Sequence, residues 1–289
     1  MTDQPQWESP EAQPAPSGTS FGPRERPLPL RQMGIGEIID AAVKLYRRDW
    51  LALIGIAAFV LVPATFIEVW VTQTIFGSVA ATATPSNELV IQSLAVTLVI
   101  IAVELLIIQP FLYAAITRAA ADAYLGESVS VDRTYRYALT RLLAILWISI
   151  LASIVTIIGF ILLIIPGIIV LVRLTLTAPV LVVEDVRGTK ALGRSWRLTK
   201  GHFWRVLGLL VLSALIASVG AAIITIPTQF AAVALGEGGW PVAALGSALA
   251  TVLITPFSSL IVVLLYFDMR IRKEGFDIEV MAQELGPSS

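Results

Sequence analysis

LLAILWISILASIVTIIGFILLIIPGIIVLV, residues Leu142 to Val172, runs its whole length without a charged side chain. About 20 apolar residues cross the hydrocarbon core of a bilayer at 1.5 Å per residue, so this run predicts a helical hairpin rather than a single rod. Pro166-Gly167 fixes one φ and frees the next, which predicts a tight reversal between spans near 142 to 165 and 168 to 185. Outward from there, Leu51 to Ile67, Val206 to Gly236 and Gly238 to Phe267 are also uncharged. They predict further spans near 51 to 71, 90 to 117, 206 to 228 and 244 to 268. The expected fold class is all-α, a polytopic membrane protein with six transmembrane helices.

The composition agrees, because 56% hydrophobic with 14% charged residues falls well short of the roughly 25% charged usage of soluble chains. Residues 1 to 33 differ from the rest. They hold Pro5, Pro10, Pro14, Pro16, Pro23, Pro27 and Pro29 and few large apolar side chains, which predicts a disordered cytoplasmic tail ahead of a membrane domain over 34 to 285. That polar, proline-rich opening has no signal-peptide character. A net charge of −1 offers no nucleic-acid footprint, and the absence of cysteine removes disulfides, thiolate metal sites and cysteine nucleophiles.

The placement of the cations carries more information than their sum. Six Lys and Arg precede span one, four lie between Arg118 and Arg141, six between Arg187 and Arg205, and three at Arg270, Arg272 and Lys273, which is 19 of 20. The opposite connections carry only the acids Glu88 and Glu237. Cationic loops resist translocation, so an inner plasma-membrane protein with both termini cytoplasmic is expected. Amphipathic cytoplasmic segments precede spans one, three and five. In the first, Ile35, Ile38, Ile39, Ala42, Leu45 and Tyr46 share a face suited to the membrane surface. Lys44-Leu45-x-Arg47-x-x-Trp50 and Gly55 match Arg197-Leu198-x-Lys200-x-x-Phe203 and Gly208 at a constant offset of 153, with a looser third copy at Tyr137 to Leu146, as a duplicated unit would.

Two groups of residues are candidates for chemistry. In the segment 187 to 203, Arg187, Lys190, Arg194 and Arg197 share a helical face and Trp196 lies on another. Such a helix either grips anionic lipid phosphates or simply fixes topology. Within the spans, Arg173 is the twentieth cation. Its expected depth is the outer third, about 9 Å past the Pro-Gly turn. Glu68 is its first candidate partner and Glu104, beside Gln109 and Pro110, its second, in a structural tie or in a substrate or proton site. The acids Glu184 and Asp185 are expected to pair with Arg187 or Arg194, and Asp268 with Arg272. Enzymatic readings find no footing: His202 is alone, Ser258-Ser259 has no base, and no G-x-S-x-G, H-E-x-x-H or Walker-type loop is present. No catalytic residue, metal or cofactor is expected.

Gly36-Glu37-Ile38-Ile39-Asp40, the stretch Pro179 to Gly201 (P-x-x-x-x-E-D, then A-x-x-R-S-W-x-L-T-K-G) and Tyr266-Phe267-Asp268-x-Arg270-x-Arg272-Lys273-Glu274-Gly275-Phe276-Asp277 form a set. Together they resemble the membrane domain of glycerophosphoryl diester phosphodiesterases, and in particular the stand-alone multi-pass actinobacterial proteins that share it. The resemblance covers roughly residues 30 to 285 and implies a six-helix bacterial plasma-membrane domain. In the full-length enzymes a separate soluble barrel does the hydrolysis. The sequence in hand offers no segment to hold that barrel, so the expectation is a non-enzymatic scaffold or accessory subunit. Its basic helices would meet anionic lipid headgroups or a membrane or cytoplasmic protein partner. A small permease or lipid-handling transporter is the alternative, in which Glu104, Gln109 and Arg173 converge on water.

Overall fold

The computed structural model describes residues 31–80 and 86–275. Most of the expected tail, part of the first outer connection and the stretch from Phe276 through the expected domain end at 285 lie outside the described residues. The chain runs through α1 (Ile35–Ala80) and α2 (Asn87–Val103), then a π-helical turn (Glu104–Ile108) into α3 (Gln109–Tyr124). It continues as α4 (Val131–Thr140), α5 (Leu142–Leu162), α6 (Ile164–Leu174), α7 (Thr177–Glu184) and α8 (Thr189–Thr199). It ends with α9 (Phe203–Ala234) and α10 (Trp240–Glu274). No strand occurs among the described residues. Among the described residues, six stretches are long and apolar enough to cross a membrane: Ile35–Thr72, Asn87–Tyr124, Leu142–Leu162, Ile164–Glu184, Phe203–Ala234 and Trp240–Glu274.

One local unit recurs three times. A polar-faced helix leads through a bent residue into an apolar helix, directly at Asp49 (φ −113°, ψ 22°) and Arg141 (φ −110°, ψ 5°), and after an extended Lys200 and Gly201 (φ 87°) at His202 (φ −120°, ψ 25°). These angles are close to one another and lie near the sparsely populated bridge region, outside the helical basin. Burial follows the same register. Ala42, Thr134 and Ser195 stand equally far before the bend, Leu53, Ile145 and Val206 one turn after it, and Ile56, Ile148 and Leu209 a turn later, and all nine are buried. The offset of 153 seen in the sequence is therefore a repeat of backbone and core, and Tyr137 to Leu146 is its third copy.

The apolar face of the first polar-faced helix, expected to meet a membrane surface, is covered by protein instead. Ile38, Ala42 and Leu45 are fully buried in protein, the Tyr46 hydroxyl donates to the Leu253 carbonyl at 3.0 Å, and its ring meets Phe257 edge-on at 6.3 Å. Residues 33 to 48 thus run antiparallel along the C-terminal half of α10. That half, Leu260 to Met269, is buried all round, as is most of α3 from Ala114 to Tyr124, and Tyr124 stacks on Phe267 at 4.4 Å. A helix that is apolar on every face is satisfied by protein as well as by lipid, and here protein surrounds it. Where α9 crosses α10, a Cβ on Gly246 would overlap Thr228, so a hydrogen side chain is what lets the backbones approach.

Elsewhere the apolar surface is bare. Ile91, Leu98, Phe59, Ile223 and the hairpin tip Ile161–Ile165 are all exposed, an area far beyond what a water-soluble monomer presents. Trp50 and Trp70, both exposed on α1, stand 20 residues apart, about 30 Å at 1.5 Å per residue, which matches the hydrocarbon thickness. The hairpin turn sits earlier than expected. The break is at Leu163 (φ −170°, ψ 157°), and Pro166 and Gly167 fall inside the first turn of α6. There proline's missing N–H costs nothing, and glycine lets the Phe160 ring and Gly159 close over it. Span four is in turn broken near Thr175, between α6 and α7.

Candidate functional site

The helix ends that carry the cations are cross-linked to one another into one basic end. At its centre is Asp268, with no exposed surface. Its carboxylate accepts from Arg205 at 2.8 Å, from Arg272 at 2.9 Å and from the Met33 backbone N–H at 2.9 Å, and both arginines also donate to the Met33 carbonyl. This joins α1, α9 and α10. A second clamp is built on Arg194 of α8, whose guanidinium reaches Glu184 of α7 at 2.8 Å and Glu274 of α10 at 2.7 Å, while the Tyr266 hydroxyl donates to Glu184 at 2.9 Å. Bonding first to Glu274 and then to Glu184 pushes the Arg194 pKa upward, so the group is held as a cation. On the third side, Asp122 at the end of α3 meets Arg118 at 2.9 Å and Arg133 of α4 at 3.4 Å. Arg133 and Arg194 stand equally far before their bends, and each reaches back to an acid of the preceding apolar helix.

Arg141 pairs with Asp185, and that bond, opposed by modest desolvation, holds the Asp185 carboxyl below the usual range. The expected pairs are present: Glu184 with Arg194, Asp185 with Arg187 at 3.4 Å, and Asp268 with Arg272. Arg205 and Met33 went unnoticed as partners of Asp268. The available signal was position: Asp268 is the first charge after the uncharged run Gly238 to Phe267, where an acid needs a counter-charge close by.

The lipid-headgroup candidates separate accordingly. Arg194 is committed to two carboxylates and is no longer available to a phosphate. Arg187 is exposed and shared with Asp185, whereas Lys190 and Arg197 are exposed and have no acid partner among the described residues. Lys44, Arg47 and Lys200 are in the same condition. Trp196 is half-exposed, with the Arg173 guanidinium 5.6 Å from its ring centroid.

The intramembrane candidates also separate. Arg173 is not with Glu68 in the outer third. The Ser195 hydroxyl donates to its backbone carbonyl at 2.7 Å and Thr199 lies at 3.4 Å, so the arginine belongs to α8 and the basic end. Residues 168 to 185 do not form one straight rod: the break between α6 and α7 lets α8 lie against α6 and brings Arg173 to the basic end. Glu68 and Glu104 do come together. They line a cavity of about 400 Å³ between α1, α2 and α10, with Thr65, Ser247 and Thr251 as further polar groups and Leu61, Val99 and Val103 among its apolar walls. Gln109 donates to Glu104 at 3.3 Å across the π-helical turn. Pro110, which lacks an N–H and crowds the carbonyl four residues back, accounts for that widened turn.

A family model described as Domain of unknown function (DUF7847) matches residues 137–269. No curated protein and no solved structure matches the chain. The matched stretch begins inside α4 and includes Arg173, Glu184, Arg194, Arg205 and Asp268, but not Met33, Arg272 or Glu274, so the clamps join it to segments on both sides. Nothing in that match links the chain to the glycerophosphoryl diester phosphodiesterases. The residues that make up the resemblance nonetheless have a physical role here: Glu37 caps α1 by accepting from the Gly34 N–H at 2.6 Å, and Glu184, Arg194, Tyr266, Asp268, Arg272 and Glu274 are the clamps.

Proposed function

We propose that this chain is a non-enzymatic multi-pass protein of a bacterial plasma membrane. Its basic end lies in the cytoplasm and holds anionic lipid, as a scaffold or accessory subunit. The observation that carries this reading is how the acids of that end are used. Glu184, Asp185, Asp268 and Glu274 are all taken up by arginines within the fold, which leaves Lys44, Arg47, Lys190, Arg197 and Lys200 exposed and without an acid partner among the described residues. Near an anionic leaflet each such cation contributes about 1 kcal/mol. The positive-inside bias of the sequence supports the cytoplasmic orientation. The likeness to the phosphodiesterase membrane domain fits this reading as a proposal, with hydrolysis left to the barrel of those enzymes.

The test is lipid retention from nanodiscs of mixed phosphatidylglycerol and phosphatidylcholine, read by native mass spectrometry. The variant Lys44→Gln, Lys190→Gln, Arg197→Gln is expected to lose phosphatidylglycerol enrichment by about fivefold per charge at low salt. Enrichment unchanged from wild type refutes the reading.

A second reading, a small permease, is favoured by the cavity holding Glu68 and Glu104. Two carboxylates in an apolar wall, with no cation lining it among the described residues, suit a proton or cationic solute. Proton flux into sealed proteoliposomes of the full chain, lost in Glu68→Gln and Glu104→Gln, would establish it; no flux in wild type removes it.

A further inference from the structure

Arg173, at the end of α6 where α8 lies against it, has surroundings short of negative charge. Its Nε and Nη1 are buried without a hydrogen-bond partner, and it forms no ion pair among the described residues. The groups near it make the shortage worse. The Lys273 ammonium, which donates to the Arg197 carbonyl at 2.6 Å, is repelled by both Arg173 and Lys200. Glu274 is the attracting acid in that neighbourhood, and it is already shared between Arg194 and Arg270. One helix end away, burial and then the charges of Lys273, Arg272 and Arg205 hold the His202 imidazole below the ordinary histidine range, against a smaller pull from Asp268. A π-cloud is what Arg173 has instead of a carboxylate, and the Trp196 ring attracts the guanidinium without supplying any counter-charge.

An arginine left unpaired beside a bilayer is unfavourable, whereas a phosphate supplies both the charge and the acceptor oxygens for its planar fork. We infer that Arg173, Lys200 and Lys273 form a discrete phosphate site between α6, α8 and the end of α10, occupied by the headgroup of an anionic phospholipid with Trp196 at its edge. Basic pockets between membrane helices at this level suit lipids carrying a phosphodiester. Exposed cations elsewhere on the basic end attract a leaflet diffusely, while this site takes up one headgroup in fixed geometry. The inference rests on the reading that the basic end meets anionic lipid, and it commits that reading to one position.

The experiment uses the full chain in nanodiscs and follows thermal unfolding with phosphatidylcholine alone, with added phosphatidylglycerol, and with phosphatidylcholine plus inorganic phosphate. Arg173→Gln removes an unpaired charge, so in phosphatidylcholine it is expected to unfold at or above the wild-type temperature. Phosphatidylglycerol is expected to stabilise wild type and not Arg173→Gln, and tightly retained lipid is expected to fall about tenfold or more in the variant. The variant Lys44→Gln, Lys190→Gln, Arg197→Gln should keep this retained lipid while losing diffuse enrichment. If the triple variant loses all retention and Arg173→Gln loses none, the site is refuted and the broader reading stands. If neither variant changes anything, both fall. Stabilisation by inorganic phosphate that disappears in Arg173→Gln keeps the phosphate site but overturns the lipid headgroup as its occupant.

Discussion

Asp268→Asn is expected to be the most damaging single substitution at the basic end. The replacement keeps the shape and one acceptor for the Met33 N–H, but it leaves Arg205 and Arg272 facing a neutral amide. Breaking a buried pair by removing one partner costs about 3–5 kcal/mol. Both arginines retain some solvent access, 20% and 23% of their side chains, so the lower end of that range applies. Even that is a large share of the stability of an ordinary domain. Thermal unfolding in mild detergent should show a clear fall in midpoint and a poor yield of folded protein. Adding Arg205→Gln and Arg272→Gln should recover much of the loss, because three neutral groups can satisfy one another. A single Asp268→Asn that unfolds like wild type would mean the cluster does not hold α1, α9 and α10 together.

Arg194→Lys is expected to be nearly as harmful as Arg194→Gln, at about 2 kcal/mol, between the values for a buried and an exposed pair. Arg194 spans two carboxylates on different helices with a planar five-donor fork, and an ammonium is a single point that cannot face both. Losing it also strands Glu184 with only the Tyr266 hydroxyl as partner. Hydrogen exchange should rise across α8, the element pinned by this side chain, and the unfolding midpoint should fall in both variants. Full rescue by lysine would reduce the clamp to generic charge attraction.

These clamps explain which parts of the molecule were legible in the amino-acid order. The six apolar stretches follow from composition, and the unit repeated at an offset of 153 reached down to the bent residues Asp49 and His202, because local spacing sets local backbone. The pair Asp268 and Arg272 was readable for the same reason, being four apart on one helix. Arg205, 63 positions before Asp268, was not, since only the packing of α9 on α10 and α1 brings it there. Arg173 was misplaced because its depth depends on where α6 breaks and on how α8 lies against it. The C-terminal half of α10 and the face of α1 from Ile38 to Leu45 show a further limit: an apolar surface does not say whether lipid or protein will cover it. Glu68 and Glu104 were singled out separately as polar groups in spans, and the cavity they share exists only once α1, α2 and α10 are packed.

In a six-span arrangement the cations collect at one membrane face and the acidic connections at the other. The chain has no cysteine, so single cysteines can be introduced at Lys44, Lys190, Glu88 and Gly236 without a background. Labelling with a membrane-impermeant maleimide in sealed inverted and right-side-out vesicles is predicted to modify positions 44 and 190 from the cytoplasmic side alone and positions 88 and 236 from the opposite side alone. Modification of 190 and 88 from the same side would contradict the six-span arrangement and the function drawn from it.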